Sequence, residues 1–270
     1  MVKVSYITAT EWAETRIGFL QQAEESLAAQ TLSSIEWIIM SANPAKDCLH
    51  GLVNTTCIHL PNVPWGQTHL QNRGIEAAQG DYLAFMDDDN RKKPGFGEEM
   101  TRFLEVGCLD AAYCFAQRID SNNKYESSHH IDTVDYHAAW NNSEFYHNDE
   151  LLIKRKVMES IGGFDMEVRF GEDYELAFRL MRDVKIGLNP VELAELRSHP
   201  DQYTAKHDNV SMAQFTLHRI LEKHGRLNPN CPICGVSLEG KPQKEVHMAW
   251  MKVKSEMRLW RFCTHPGFHP

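Results

Sequence analysis

The first hundred residues alternate two hydrophobic rhythms. Short β-branched or apolar runs occur at residues 2–8 (VKVSYIT), 36–41 (EWIIMS), 56–60 (TCIHL) and 81–87 (DYLAFMD), and they read as strands. Between them, residues 15–30 place Ile17, Leu20, Ala23 and Leu27 on one helical face, and residues 67–80 read as a helix ended by Gly80. Strands alternating with helices predict an α/β fold with a mostly parallel central sheet covered on both faces. In such sheets ligands sit beyond the C-terminal ends of the strands.

The second hundred residues are less regular. Residues 110–120 (DAAYCFAQRID) read as a strand, followed by a polar, His-rich stretch to about 147. Residues 149–165 read as a short strand and helix running into the Gly162–Gly163 turn. Residues 172–183 form a helix with Tyr174, Ala177, Phe178 and Met181 on one face. Beyond residue 198 the chain turns polar, with helices expected near 210–224 and 243–260. That tail reads as a small helical appendage.

Composition narrows the partners. A formal charge of −9 argues against a nucleic-acid backbone as the main partner, since that affinity comes from clustered Lys and Arg. No apolar run approaches the roughly 20 residues that span a bilayer. The opening MVKVSYIT enters strand alternation with no charged-then-apolar leader, so a cytoplasmic protein is expected. Cys48, Cys57, Cys108 and Cys114 are scattered singly in apolar contexts, as reduced core thiols are.

The chemistry concentrates at strand and helix ends. Asp87, Asp88 and Asp89 follow a buried strand, where neighbouring carboxylates offer hard oxygen ligands to Mg²⁺ or Mn²⁺. The plain alternative is a solvated loop leading to a helix N-cap. Phosphatases and receiver domains need an aspartate at the end of the first strand, and YITATEW has no carboxylate before Glu11. A second acidic pair, Glu172 and Asp173, opens a helix just after Phe164, Phe170 and the Gly-Gly turn. Simple N-terminal helix charge is its plain reading.

Taken in order, these pieces resemble the inverting nucleotide-sugar glycosyltransferases of family 2, with the Rossmann-like GT-A fold. The stretches VSYITATEW, SLAAQTLSSIEWIIM, QNRGIEAAQGDYLAFMDDDN, LLIKRKVMESIGGFDMEVRFGEDYELAFRL and LRSHPDQYT carry the resemblance, over residues 2–205. It implies a glycosyltransferase domain at 1–205 and a C-terminal extension at 206–270. Asp87 and Asp89 would then hold a divalent metal and the donor diphosphate, with Asp88 between them near the donor ribose or sugar. Asp173 would be the general base and Glu172 would orient the acceptor. His199 would be a metal or diphosphate ligand. Thr8, Thr10, Glu11 and Asn72 would belong to the nucleotide site. A metal clamp on the leaving diphosphate and a carboxylate on the acceptor side give single displacement with inversion.

Departures from the family pattern limit the detail. No carboxylate follows the second strand until Asp47, so the base is open, and UDP is favoured only as the commonest donor. Gln71 stands where the family often has Arg, and LAFRLMRD lacks the Gln-x-x-Arg-Trp signature of processive synthases. Transfer of a single sugar to a soluble acceptor follows. The rivals are a nucleotidyltransferase, which would need a Gly-rich basic loop after the first strand, and a catalytically silent nucleotide-sugar-binding protein.

The tail carries one further pattern. Cys231 and Cys234, in CPICG, have zinc-knuckle spacing, with His247, Cys263 and His265 as candidates to complete a structural Zn²⁺ site and His224 less suited. The same segment could serve acceptor recognition, homodimerisation or stapling.

Overall fold

A computed structural model describes residues 2–61, 66–131, 134, 146–168 and 171–202. The candidate zinc residues Cys231, Cys234, His247 and Cys263, Phe170, and both expected tail helices lie outside the described residues.

Four parallel strands form the N-terminal half of the sheet: β1 (Val4–Ala9), β2 (Ile35–Ser41), β3 (Thr55–His59) and β4 (Tyr82–Phe85). The other half contains β5 (Arg91–Lys92), β6 (Ala111–Ile119), β7 (Tyr125–His129), β8 (Leu151–Lys154) and β9 (Ile186–Arg197). The order is β3-β2-β1-β4-β8-β6-β9-β5, with β7 pairing on β6. Strands β1 to β4, β6 and β9 run one way, and β5, β7 and β8 run against them. The mostly parallel α/β sheet anticipated from the hydrophobic rhythm is present.

Period-2 alternation divides the core between two faces. Tyr6, Trp37, Tyr82, Ala84, Ala112 and Leu152 pack on one face, against α1 (Ile17–Ala28) through Leu20, Ala23 and Leu27 and against α3 (Phe96–Val106) through Met100 and Leu104. Ile7, Ile38, Leu83, Phe85, Tyr113 and Ile153 pack on the other. They meet α2 (Gln67–Ala77), α4 (Arg155–Ser160) and α5 (Glu172–Asp183). On α5 the buried stripe centres on Leu176, Ala177 and Leu180 with Phe178, while Met181 packs at its margin and Tyr174 is half-buried. Helix α2 stops at Ala77, short of Gly80. Of the four N-terminal cysteines only Cys114 is a core thiol; Cys48 is half-buried, and Cys57 and Cys108 are exposed.

Sequence reading left out α3, although Phe96, Met100 and Leu104 recur on its buried face, and also β7 and β9, which carry no clear rhythm. Pro190 interrupts β9, and the pairing with β6 slips there, from Cys114↔Asn189 to Phe115↔Glu192. A residue without an amide proton fits such a bulge.

Gly80 fixes the start of β4. Its amide donates to Ser5 Oγ at 2.8 Å, and Ser5 Oγ donates to the buried Glu36 Oε1 at 2.5 Å. A Cβ at Gly80 would stand 2.7 Å from the Ser5 backbone nitrogen, which cannot move without shifting β1. Gly80→Ala is therefore expected to lower stability by about 1–3 kcal/mol, read as a lower urea midpoint. An unchanged midpoint would show that the turn relaxes freely.

Candidate functional site

The site lies where the strand order reverses, beside β1 and β4, at the C-terminal ends of both. The chain leaves β4 directly into Asp87, Asp88 and Asp89, and leaves β1 into Thr10. Asp88 is 2% exposed. Its Oδ2 accepts from Thr10 Oγ1 at 2.6 Å, and its Oδ1 pairs with Arg16 Nη1 at 2.8 Å. Asp89 Oδ2 takes Arg16 Nη2 and lies 3.0 Å from His199 Nε2. Asp87 turns elsewhere: its Oδ1 accepts from Gln67 Nε2 at 2.8 Å, and its amide donates to Asp149 Oδ1 at 3.1 Å.

Two buried cations brace this loop from behind. Arg197 Nε donates to the Asp89 carbonyl at 2.7 Å, and its other nitrogens reach the Asp120 carbonyl, Asn123 and Gln22. Its guanidinium also lies 4.5 Å from the Phe19 ring. Lys92 Nζ donates to the Asp149 carbonyl and stands 4.0 Å from Asp149 Oδ1, with the Phe96 ring 4.5 Å away.

Burial and mutual repulsion govern the protonation. Burial, then Asp149, Asp89 and Glu172, push Asp87 well above the ordinary carboxylate range. Burial lifts Asp88 to about 6 although Arg16 opposes it. Asp89 lies below the ordinary range, because His199 and Arg16 together outweigh the effect of its burial. The triplet thus holds its negative charge most firmly at Asp89, beside His199.

The other acidic pair opens α5 after Gly171, whose left-handed φ of 72° turns the chain into the helix. Asp173 Oδ1 accepts the Tyr174 amide at 2.8 Å, and Oδ2 lies 3.8 Å from His147 Nδ1. Burial raises Asp173 to about 6. Burial and the neighbouring Asp173 raise Glu172 to about 8. The segment 147–150 lies between the two acidic pieces: His147 Nδ1 faces Asp173 Oδ2, and Asp149 Oδ1 accepts from the Asp87 amide.

Other expected residues are placed differently. Thr8 is fully buried, and its hydroxyl accepts from the Trp37 indole at 2.9 Å inside the sheet. Both ends of the Asn72 amide are taken by the Phe164 backbone, each at 2.8 Å, which makes Asn72 a tie between α2 and the 162–164 turn. Glu11 is exposed, and its carbonyl accepts from Asn43. Sequence reading missed Arg16, Gln67, Lys92, His147, Asp149 and Arg197. Only Arg197 had a signal, its place two residues before His199.

For a divalent ion the described residues offer at most two adjacent ligands. Among the described residues no three His, Cys, Asp or Glu side chains are arranged to hold a metal ion. Asp89 Oδ2 and His199 Nε2, however, stand 3.0 Å apart. That is the edge of an octahedron whose arms are about 2.1 Å long, so the two fit as adjacent ligands. Asp87 Oδ1 is engaged by Gln67. The fit is to an ion that completes its shell with phosphate oxygens and water, as Mg²⁺ does.

The sequence profile of Glycosyl transferase family 2 matches residues 15–167, more than half of the chain. The chain belongs to this family. It is a glycosyltransferase, which sets the nucleotidyltransferase alternative aside. Its relatives include the uncharacterized glycosyltransferase YwdF of Bacillus subtilis (strain 168), 25% identical with 96% of each chain covered. Another is EpsJ of the same organism, 26% identical over 73% of this chain and 66% of that protein. Among solved structures, S. aureus TarS 1–349 in complex with UDP-GlcNAc superposes with a TM-score of 0.63 at 14% identity, covering 82% of this chain and 67% of that one. Mannosyltransferase PcManGT from Pyrobaculum calidifontis, in complex with GDP-Man and Mn²⁺, gives 0.60 at 15%, covering 83% and 64%. At these identities the structural likeness shows the shared GT-A fold alone. Among the described residues no helix is long and apolar enough to cross a membrane.

Asp149→Ala would take from the buried Lys92 ammonium its facing carboxylate and leave only the residue-149 carbonyl, at a cost of about 1–3 kcal/mol at neutral pH. Burial already holds Lys92 below its ordinary pKa against the pull of Asp149. Without Asp149 its folded-state pKa falls further, so stability is lost below that value and recovered as pH rises toward the unfolded one. Urea unfolding should show a smaller penalty near pH 9.5 than at pH 7; an equal penalty contradicts this account of Lys92.

Proposed function

We propose that the chain transfers one sugar, with inversion, from a nucleoside-diphosphate sugar to the hydroxyl of a soluble acceptor. The observation that carries the reading is that the segment 147–150 touches both acidic pieces: Asp149 Oδ1 accepts from the Asp87 amide at 3.1 Å, and His147 Nδ1 lies 3.8 Å from Asp173 Oδ2. Asp89 and His199 would hold the divalent ion, which when bound offsets the charge developing on the leaving diphosphate. Thr10 and Arg16 hold Asp88, and Asp149 and Gln67 hold Asp87, so the loop presents its carboxylates in a fixed arrangement. Asp173, its Oδ1 fixed by the Tyr174 amide, would take the acceptor proton through Oδ2. Glu172, with its affinity for a proton raised by burial and by Asp173, would donate a hydrogen bond to an acceptor oxygen.

UDP-GlcNAc in the TarS complex, and GDP-Man with Mn²⁺ in the mannosyltransferase, support a nucleotide-sugar donor and a divalent ion. They differ in base. UDP-sugars therefore lead the donor panel and GDP-sugars follow.

The test is donor hydrolysis and thermal protection across nucleotide sugars with Mn²⁺. Asp89→Ala is expected to abolish Mn²⁺-dependent donor binding, and a panel in which no nucleotide sugar binds would overturn the reading. Asp173→Asn should lower turnover by about 10²–10⁴-fold while donor binding persists. With Asp173 raised to about 6, kcat/KM should fall as pH drops below that value, because protonation removes the base. A rate unchanged between pH 5 and 8 would rule Asp173 out as the base.

A further inference from the structure

Arg16 lies in the short 3-10 turn Glu14–Arg16, between β1 and α1. Its guanidinium forks across the acid triplet, Nη1 on Asp88 Oδ1 and Nη2 on Asp89 Oδ2. Asp89 Oδ2 is also the oxygen facing His199 Nε2. The arginine therefore occupies the same oxygen that the Asp89–His199 edge offers to a divalent ion. A cation bound there and a guanidinium against the same oxygen repel each other strongly in a half-buried setting.

The loop that carries Arg16 holds a second clue. Arg16 Nε and Trp12 Nε1 are both buried N–H donors with no hydrogen-bond acceptor. Trp12 is 3% exposed and adopts a left-handed φ of 55°, a conformation that a bulky residue rarely keeps. Buried donors are seldom left unpaired, and strained backbone gathers at functional sites. Two unpaired donors and one strained residue within Trp12–Arg16 point to a ligand rich in acceptor oxygens, and a diphosphate has that chemistry.

We propose that Arg16 is the resident counter-ion of Asp88 and Asp89, leaving Asp89 when a divalent ion binds and turning its fork to the donor's diphosphate. The inference rests on the nucleotide-sugar reading above. It explains how three consecutive carboxylates stay folded before any ligand arrives: a guanidinium offsets their repulsion. It also makes binding synergistic. The ion alone must displace Arg16 with nothing to receive it, whereas ion and diphosphate together give the guanidinium a new bidentate partner. Such coupling is reciprocal, so each ligand tightens the other by the same factor.

The experiment titrates Mn²⁺ by the electron paramagnetic resonance signal of the free ion, with and without UDP or GDP, for the wild type, Arg16→Gln and Arg16→Lys. The wild type should bind Mn²⁺ weakly alone and about tenfold tighter or more with nucleotide. Arg16→Gln should bind Mn²⁺ alone about tenfold tighter than the wild type, as removal of one close competing charge implies, and its coupling to nucleotide should shrink. Arg16→Lys keeps the charge without the fork, so its Mn²⁺ affinity should stay near the wild type while the coupling falls. This variant carries the comparison if the glutamine variant does not fold. Mn²⁺ affinity in Arg16→Gln equal to or weaker than the wild type overturns the proposal, as does undiminished coupling in Arg16→Lys. Failure of every protein to bind UDP or GDP would instead defeat the nucleotide-sugar reading, and the Mn²⁺-only comparison would still decide whether Arg16 competes for Asp89.

Discussion

The repulsion among Asp87, Asp88 and Asp89, concentrated where β4 leaves the sheet, is the constraint that the surrounding structure answers. Each carboxylate has its own set of partners, with Arg16 shared by two: Gln67 for Asp87, Thr10 with Arg16 for Asp88, and Arg16 with His199 for Asp89. The backbone of the same loop is held from below, by Asp149 at the Asp87 amide and by Arg197 at the Asp89 carbonyl. Lys92 and Arg197 bring positive charge into the interior and hydrogen-bond to carbonyls, so neither stands unpaired. The outcome is a graded site in which Asp89 keeps its charge most firmly and Asp87 and Asp88 bind protons more readily.

Topology supplies these partners from distant parts of the chain. The reversal of strand order beside β1 leaves the ends of β1 and β4 adjacent. Strand β9 runs parallel to β6 and pairs with β5, which brings Arg197 and His199 back against the acid loop. Helix α5 packs through Leu176, Ala177 and Leu180 on the sheet face that also holds Tyr113 and Phe85, and so presents Glu172 and Asp173 toward the same end. The candidate site is thus assembled from strand ends and one helix start, on a scaffold whose two apolar faces are set by simple alternation along the strands.

Much of that scaffold is legible in the sequence because burial writes it locally. The runs that became β1, β2, β4, α1 and α5 are apolar at the period that their structure requires. Strand β9 is not legible, since Pro190 breaks its rhythm and its partner lies some seventy residues earlier. The acid residues Asp87 to Asp89, Glu172 and Asp173 stand out as clusters beside buried elements. Arg16, Asp149 and Lys92 do not, because nothing in a one-dimensional pattern says which charges meet. Thr8 and Asn72 illustrate the converse: near the site in sequence, one is used by the Trp37 indole and the other by the Phe164 backbone.

The central claim is that Asp89 and His199 hold a divalent ion for a nucleoside diphosphate. It is tested most directly by locating Mn²⁺ through its anomalous scattering in crystals grown with Mn²⁺ and UDP or GDP. The account predicts one peak about 2.1–2.2 Å from both Asp89 Oδ2 and His199 Nε2, bridged to the diphosphate. A nucleotide bound with the peak elsewhere, or with no metal at all, would contradict it.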